Sequence, residues 1–184
     1  HVGQTKSRVE GMEIVNKSFW KDKKVLVTGH TGFKGGWLSL YLNMLGAEVF
    51  GFSLEAKEKS FFNAVNMGDR ITQEIGDIRD YISFQKYLSK VEPEIIFHLA
   101  AQPLVRYSYS NPVETFSTNV MGTVNLLEIS RNLKNLKSLV VITSDKCYEN
   151  KEWEWSYREN ENLGGKDPYS SSKACTELVV AAYR

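Results

Sequence analysis

The strongest constraint on the fold lies in residues 24–46, where an apolar run, a glycine-rich turn and a helix-like segment follow one another. The run Lys24–Gly29 predicts a buried strand, and Trp37–Gly46 predicts an amphipathic helix. Three glycines stand at the turn, Gly29, Gly32 and Gly35. The first permits a tight turn, the second lets the backbone approach a pyrophosphate, and the third lets the helix pack closely on the strand. This order indicates the phosphate-binding corner of a dinucleotide fold, with the helix N-terminus supplying amide donors.

Apolar runs and helical patterns alternate along the rest of the chain, which predicts a parallel sheet covered by helices on both faces. Further strands are predicted at residues 48–53, 71–77, 94–100 and 138–144, with a short helical piece at 61–67. Asp80 is expected to cap a helix that ends near Val91, Pro112 to open a long helix that runs to Asn132, and Pro168 to start the last helix. The prediction is an α/β, Rossmann-like doubly wound sheet in the order 3-2-1-4-5, with ligands at the carboxyl ends of the strands.

The composition fits one globular domain of 184 residues, 42% of them hydrophobic, with 23 basic and 22 acidic side chains. This balance gives no reason to expect nucleic acid or an anionic membrane as partner. No apolar run approaches the ~20 residues that span a bilayer, and the first residues lack a secretory signal, so the cytoplasm is expected. Cys147 and Cys175 have no metal-ligand spacing; no metal is expected, and both are predicted to be buried. Residues 1–18 are expected to be a flexible or added tail, and residues 19–184 the cofactor-binding domain.

Tyr169 and Lys173 lie four residues apart in the last predicted helix, so one turn places them on the same face. A cation beside a phenol favours the ionised form, and the tyrosine can then act as a base toward a hydroxyl. By itself the spacing is equally typical of a solvated helix face. The glycine corner supports the catalytic interpretation, as do the polar residues at the predicted strand ends, Thr28, Ser53, Asp77, Gln102, Ser144 and Asp145.

Four motifs resemble those of the extended short-chain dehydrogenase/reductases that act on nucleotide sugars: Thr28–Gly35, Gly76–Asp80, His98–Gln102 and Tyr169–Lys173. The likeness runs from about Phe19 to Arg184. A narrower likeness is to the 4,6-dehydratases of CDP-glucose, and it lies in Leu104–Arg106, Asn119–Thr123, Thr143–Asn150, Tyr157–Asn160 and Leu163–Tyr169. It implies a hydro-lyase of deoxysugar biosynthesis that oxidises C4 of the sugar, eliminates water across C5 and C6, and returns the hydride to C6.

The same resemblance implies an NAD site made of Gly29, Thr31, Gly32, Phe33, Gly35, Ser53, Asp77, Ile78, Leu99, Ala100, Ala101 and Gln102, with Tyr169 and Lys173. Asp77 and Ile78 would meet the adenine, residues 100–102 would line the nicotinamide ribose, and Lys173 would bind its hydroxyls. Without the resemblance, Asp77 is an ordinary turn residue and Gln102 a solvated one. With or without it, His98 is expected to be a satisfied core histidine. Serine, not an acid, ends the second strand, with Lys57 and Lys59 nearby, so NADP stays open beside NAD.

The catalytic residues that the resemblance implies are Ser144, Asp145, Lys146, Tyr169 and Lys173. Tyr169 and Ser144 would act at the C4 hydroxyl, Asp145 would be the acid at the C6 hydroxyl, and Lys146 the base at C5. The alternative for Asp145 and Lys146 is a surface ion pair worth ~0–1 kcal/mol. Arg106 and Asn119 are expected to contact the nucleotide sugar.

Proteins of the family that this chain resembles carry roughly as much chain again beyond the helix with Tyr169 and Lys173. The C-terminal part that binds the substrate is therefore expected to be absent. The last helix would then lack cover at Leu178 and Val179, and a homo-oligomer, dimer or tetramer, is expected. Two alternatives stay open. An epimerase or reductase on the same fold needs Ser144, Tyr169 and Lys173 but no Asp145–Lys146 pair, and a truncated NAD-binding module needs no catalysis at all.

Overall fold

The computed structural model describes residues 15–184 and contains a five-stranded parallel sheet in the order β3-β2-β1-β4-β5. The strands are β1 (Lys24–Thr28), β2 (Glu48–Ser53), β3 (Thr72–Ile75), β4 (Ile95–His98) and β5 (Ser138–Val141). The helices are α1 (Lys17–Trp20), α2 (Phe33–Met44), α3 (Phe61–Ala64), α4 (Tyr81–Val91), α5 (Val105–Ser110), α6 (Pro112–Phe116), α7 (Gly122–Ser130) and α8 (Pro168–Tyr183). The predicted strand order and the predicted starts at Pro112 and Pro168 are confirmed.

The central strand β1 sets the edge at which the site forms. Thr28 lies opposite Phe52 of β2 and His98 of β4, so the carboxyl ends of three neighbouring strands are level. Strand β4 stops two residues before its predicted end. The Leu99 amide is shared between the carbonyl and the hydroxyl of Thr28, and the Ala100 amide donates to that hydroxyl at 3.2 Å. Strand β5 likewise ends at Val141, three residues before its predicted end.

Both faces of the sheet are covered, as a doubly wound fold requires. One face packs against α4 and α7 through Leu26, Phe52, Ile96, Phe84, Leu88, Leu126 and Ile129. The other packs against α2 through Val25, Val27, Val49, Ile95 and Leu42. Asp80 caps α4 as predicted, accepting the amide of Ser83 at 3.2 Å. These contacts confirm the α/β, Rossmann-like prediction.

The prediction of one continuous helix from Pro112 to Asn132 is wrong, because the helix is interrupted and ends two residues earlier. It consists of α6, a π-helical segment at Ser117–Met121, and α7, which ends at Ser130. Within the π-helical segment, the carbonyl of Asn119 accepts hydrogen bonds from the hydroxyls of Thr123 at 2.7 Å and Thr176 at 3.1 Å. Side chains thus compete with the regular backbone ladder, and such π-bulges are frequent at functional sites.

Three smaller sequence predictions have mixed outcomes. Most of the expected tail, residues 1–14, lies outside the described residues, and Lys17–Trp20 forms a helical turn capped by Asn16. Cys147 is buried as predicted, whereas Cys175 is only half-buried, because its position on α8 faces partly outward. Within residues 15–184, no helix combines the length and apolar character needed to cross a membrane.

Candidate active site

The glycine corner brings three backbone segments into contact. Gly29 has φ +73°, a left-handed conformation that favours glycine, and a Cβ there would lie 2.8 Å from the amide nitrogen of Ala100. Gly32 precedes α2 and no side chain among the described residues caps the helix, so amides of its first turn stay open to a ligand. A pyrophosphate fits this cradle, because its charge matches the helix N-terminus. The Phe33 ring is 73% exposed, and its backbone amide is the first of α2.

Gly35→Ala is expected to lower the free energy of unfolding by about 2 kcal/mol or more. A Cβ at Gly35 would lie 2.1 Å from the carbonyl oxygen of Gly29, and backbone on both sides resists movement. Gly36→Ala is the matched control, because its nearest atom at 3.0 Å belongs to the ring of Phe61, which can rotate. Urea unfolding of both variants measures the difference. Equal losses in the two variants would contradict the close approach at Gly35.

Two hydroxyls meet at the end of β2, where the sequence predicted a ribose contact. The oxygens of Thr31 and Ser53 lie 2.7 Å apart, and the Thr31 hydroxyl also donates to the carbonyl of Leu54 at 2.9 Å. Since the Thr31 proton goes to Leu54, the Ser53 hydroxyl donates to Thr31. Both protons are then used, and the oxygen of Ser53 is left as an acceptor.

At the end of β3, Asp77 and Ile78 differ in what they offer a ligand. The Asp77 carboxylate pairs with the guanidinium of Arg79 at 2.5 Å and also accepts the Arg79 amide. Arg79 therefore holds the pKa of Asp77 below its ordinary value, which keeps this carboxylate charged. Ile78 is 4% exposed and packs against Gly122. A contact of Ile78 with adenine would have to use its backbone.

The loop after β4 is held by buried side chains. The amide of Gln102 donates to the side-chain oxygen of Asn119 at 2.8 Å, and its side chain bonds Thr115 and Leu104. The solvated alternative for Gln102 is therefore wrong. Leu99, Ala100 and Ala101 are only partly buried and lie next to the glycine corner. His98 is confirmed as a satisfied core histidine, since its ring nitrogens contact Thr28 at 2.7 Å and Thr123 at 3.1 Å.

The two predicted substrate contacts lie in different surroundings. Asn119 is 1% exposed, and its amide nitrogen donates both to the carbonyl of Gln102 and to the hydroxyl of Ser172. This arrangement assigns Asn119 to positioning the loop, in place of the predicted substrate contact, because no amide hydrogen is left for a ligand. Arg106 is exposed on α5, and Ser108 of the same helix accepts the amide of Tyr169 at 3.2 Å, so α5 lies beside the start of α8.

Tyr169 and Lys173 lie one turn apart on α8, which Asp167 caps by accepting the amide of Ser170 at 2.9 Å. Lys173 is 6% exposed, and its ammonium donates to the carbonyl of Ile142, just beyond β5, at 3.1 Å. Burial lowers the pKa of Lys173 to about 8. The structure thus brings this helix to the strand end that carries Ser144.

Ser144, Asp145 and Lys146 form the turn that follows. A 3₁₀ turn at Asp145–Cys147 begins where the Ser144 oxygen accepts the Lys146 amide at 3.2 Å, and the Ser144 hydroxyl donates to Asp145 at 3.0 Å. Asp145 and Lys146 are exposed, and the described structure has no ion pair between them. The alternative of a surface ion pair therefore loses its support.

The buried ammonium of Lys173 predicts a pH dependence of stability. Its pKa is about 8 in the folded protein, against an ordinary value of 10.5, so the unfolded chain binds more protons between these values and stability from this group rises with pH there. Below about pH 8, Lys173 is protonated in both the folded and the unfolded protein, so the full cost of burying its charge lowers the free energy of unfolding. The free energy of unfolding of wild type minus that of Lys173→Met should therefore rise by about 2–3 kcal/mol from pH 7 to pH 10.5. Urea unfolding of both proteins measures this difference, and a constant difference would contradict the buried charge.

Sequence reasoning missed the side chains that support the site. The Ser108 hydroxyl accepts the backbone amide of Tyr169, and the Ser172 hydroxyl accepts the side-chain amide of Asn119. The Thr143 hydroxyl donates to the carboxylate of Glu177 on α8. Ser172 and Thr143 lie inside motifs that were recognised, but serine and threonine are common at exposed positions too. Nothing in their spacing distinguishes these three from solvated residues.

Residues 26–184 match the family model described as GDP-mannose 4,6 dehydratase. The chain belongs to this family. Among curated members, it is 56% identical over 172 residues to the CDP-glucose 4,6-dehydratase of Salmonella typhimurium, which covers 93% of the chain and 48% of that protein. It is 31% identical to the GDP-mannose 4,6-dehydratase of Vibrio cholerae, over 88% of the chain and 46% of that protein. The chain spans about half the length of these relatives.

Solved structures similar to this GDP-mannose 4,6-dehydratase family member include nucleotide-sugar epimerases. The UDP-glucose 4-epimerase of Thermus thermophilus, solved as a complex with NAD, is 28% identical with a TM-score of 0.74 over 86% of the chain and 50% of that structure. The UDP-glucose 4-epimerase of Thermotoga maritima, solved with UDP-glucose, is 25% identical with a TM-score of 0.76 over the same shares. The shared fold confirms the short-chain dehydrogenase/reductase resemblance.

Proposed function

We propose that this chain is the cofactor-binding and catalytic part of a nucleotide-sugar 4,6-dehydratase that acts on CDP-glucose. The single observation that carries the proposal is the contact of α8 with the end of β5: Lys173 donates to the carbonyl of Ile142, two residues before Ser144, and Tyr169 lies one turn earlier on the same helix. The 56% identity to the Salmonella CDP-glucose 4,6-dehydratase supports the choice of sugar nucleotide. The product would be CDP-4-dehydro-6-deoxyglucose.

NAD is the cofactor that we propose for this site. The open amides at the start of α2 suit a pyrophosphate, and the charged carboxylate of Asp77 can accept a hydrogen bond from an adenine amino group. At β2, the Ser53 oxygen can accept a bond from a ribose hydroxyl, whereas a 2′-phosphate needs donors, and both hydroxyl protons there are used. This favours NAD over NADP. When bound, NAD would take up the C4 hydride and give it back at C6.

Tyr169 is the proposed base for the sugar C4 hydroxyl. Its phenol would take the hydroxyl proton, and the Ser144 hydroxyl would hydrogen-bond the same oxygen. Lys173 would place its positive charge one turn further along the same face of α8. With its pKa at about 8, Lys173 is mostly protonated at pH 7, so the charge is in place.

Elimination of water needs a second acid and base. Once C4 is a ketone, the hydrogen at C5 becomes acidic, and we assign Lys146 to remove it. Asp145 would give a proton to the C6 hydroxyl as it leaves. An epimerase needs neither group, and the close identity to a dehydratase disfavours that alternative. The homo-oligomeric state and the cytoplasmic location stay predictions.

The proposal is tested by offering NAD and one nucleotide sugar at a time to the whole protein that carries this sequence. We expect CDP-glucose to lose 18 mass units, as loss of water requires, while GDP-mannose and UDP-glucose stay unconverted in parallel incubations. Conversion of UDP-glucose to its C4 epimer, with no loss of mass, would contradict it. The 184-residue chain alone is expected to bind NAD without turnover, since the segments that would cover the sugar lie in the other half of its relatives.

A further inference from the structure

Two contacts, one helical turn apart, join α8 to the end of β5. Lys173 donates to the carbonyl of Ile142 at 3.1 Å, and the next residue of the strand end, Thr143, donates through its hydroxyl to the carboxylate of Glu177. Glu177 follows Lys173 by four residues, so both side chains lie on the same face of the helix. Thr143 in turn precedes Ser144. Glu177 therefore binds the residue that directly precedes the proposed catalytic residue Ser144.

We propose that Glu177 is a positioning residue with two tasks: its charge keeps the buried ammonium of Lys173 protonated, and its hydrogen bond with Thr143 fixes α8 against the strand end that carries Ser144. The inference rests on the proposed function only in making Lys173 a catalytic group. Nothing in the sequence motifs assigns a role to Glu177.

The charge task follows from the surroundings of Lys173. An ammonium that is 6% exposed needs a compensating charge, since burial disfavours its charged form. Burial lowers the pKa of Lys173 to about 8, and the carboxylate of Glu177 acts in the opposite direction. Glu177 is half-buried and lines a groove of about 370 Å³ between α7, α8 and β5, so its field is only partly screened by water.

The other titratable groups around Lys173 do not supply this charge. His98, on the sheet below, has its pKa lowered to about 3 by burial, so it is neutral at physiological pH. The Cys147 thiol, on the turn after β5, has its pKa raised by burial and by Glu177, and it is neutral as well. The remaining charged groups on elements packed against α8 are either exposed or bound to other partners: Asp145, Lys146, Arg106, Glu114 and Glu128.

The test is a titration of Lys173 by NMR in the 184-residue chain, with ¹³C- and ¹⁵N-labelled lysine and with the resonance assigned by its loss in Lys173→Met. Glu177→Gln removes the charge but keeps an oxygen that Thr143 can reach. Thr143→Val removes the hydrogen bond but keeps the charge. Glu154→Gln, on an exposed loop, controls for the loss of any glutamate. The titration needs neither NAD nor sugar, so it stays informative even if the dehydratase proposal fails.

We expect the midpoint of Lys173 to fall by about one pH unit in Glu177→Gln and to stay at its wild-type value in Thr143→Val and Glu154→Gln. Thr143→Val should instead lower the melting temperature. If Glu177→Gln does not fold, Glu177→Asp keeps the charge and is expected to keep the wild-type midpoint. An unchanged midpoint in Glu177→Gln, an equal fall in Thr143→Val, or a lowered midpoint in Glu177→Asp would each overturn the proposal.

Discussion

Tyr169→Phe is expected to lower kcat for CDP-glucose in the whole protein by about 10³-fold or more while NAD binding stays as in wild type. The substitution removes the proposed proton acceptor and leaves the ring. The contact of Tyr169 that fixes α8 against α5 uses its backbone, since its amide donates to the hydroxyl of Ser108. The helix should therefore keep its place. Turnover and NAD affinity, measured on the same preparation, separate chemistry from binding.

The matched control is Tyr109→Phe, which removes a phenol that is 64% exposed on the neighbouring helix α5. We expect wild-type turnover in that variant. Sugar oxidation at the wild-type rate in Tyr169→Phe would refute the assignment of the base. A parallel loss of NAD affinity would instead indicate that the ring positions the cofactor.

Lys146→Ala is expected to abolish the 6-deoxy product while oxidation at C4 continues, because only elimination needs a base at C5. Lys146 is exposed, so the truncation creates no cavity and should leave stability unchanged. Mass spectrometry should then show a 4-keto sugar that retains its C6 hydroxyl. The whole protein, NAD and CDP-glucose are the only components required.

Lys151→Ala is the control for Lys146, because it removes a lysine of the same connecting loop, one that pairs with Glu149 at 2.7 Å. It should form the 6-deoxy product normally. Normal product in Lys146→Ala as well would show that Lys146 takes no part, and it would favour an epimerase or reductase on this fold.

The parts of the fold that the sequence predicted are those that periodicity and backbone chemistry dictate locally. Apolar runs marked β1, β2, β4 and β5, because strands covered on both faces tolerate few polar residues, whereas β3 is a polar, mostly exposed edge strand. Gly29 and Gly35 marked the corner because no other residue fits the 2.8 and 2.1 Å approaches found there. Asp80, Pro112 and Pro168 marked helix starts, because each satisfies or lacks an amide at the first turn.

The parts that escaped prediction depend on contacts between distant segments. The π-helical segment forms around the carbonyl of Asn119, which binds Thr176 from 57 residues away. Without the family resemblance, Gln102 is expected to be solvated, because its partner Thr115 lies 13 residues further along, on α6. A single sequence holds the residue types of these pairs but not their proximity, so the side chains that support the site become visible only in three dimensions.

The most direct test of the central claim follows one hydrogen through the reaction. The whole protein is incubated with NAD and CDP-glucose that carries deuterium at C4, and the product is analysed by mass spectrometry and NMR. A 4,6-dehydratase should yield CDP-4-dehydro-6-deoxyglucose in which the deuterium has moved to the C6 methyl group and one water has been lost. Deuterium that stays at C4 of an epimerised sugar, with no loss of water, would contradict the account.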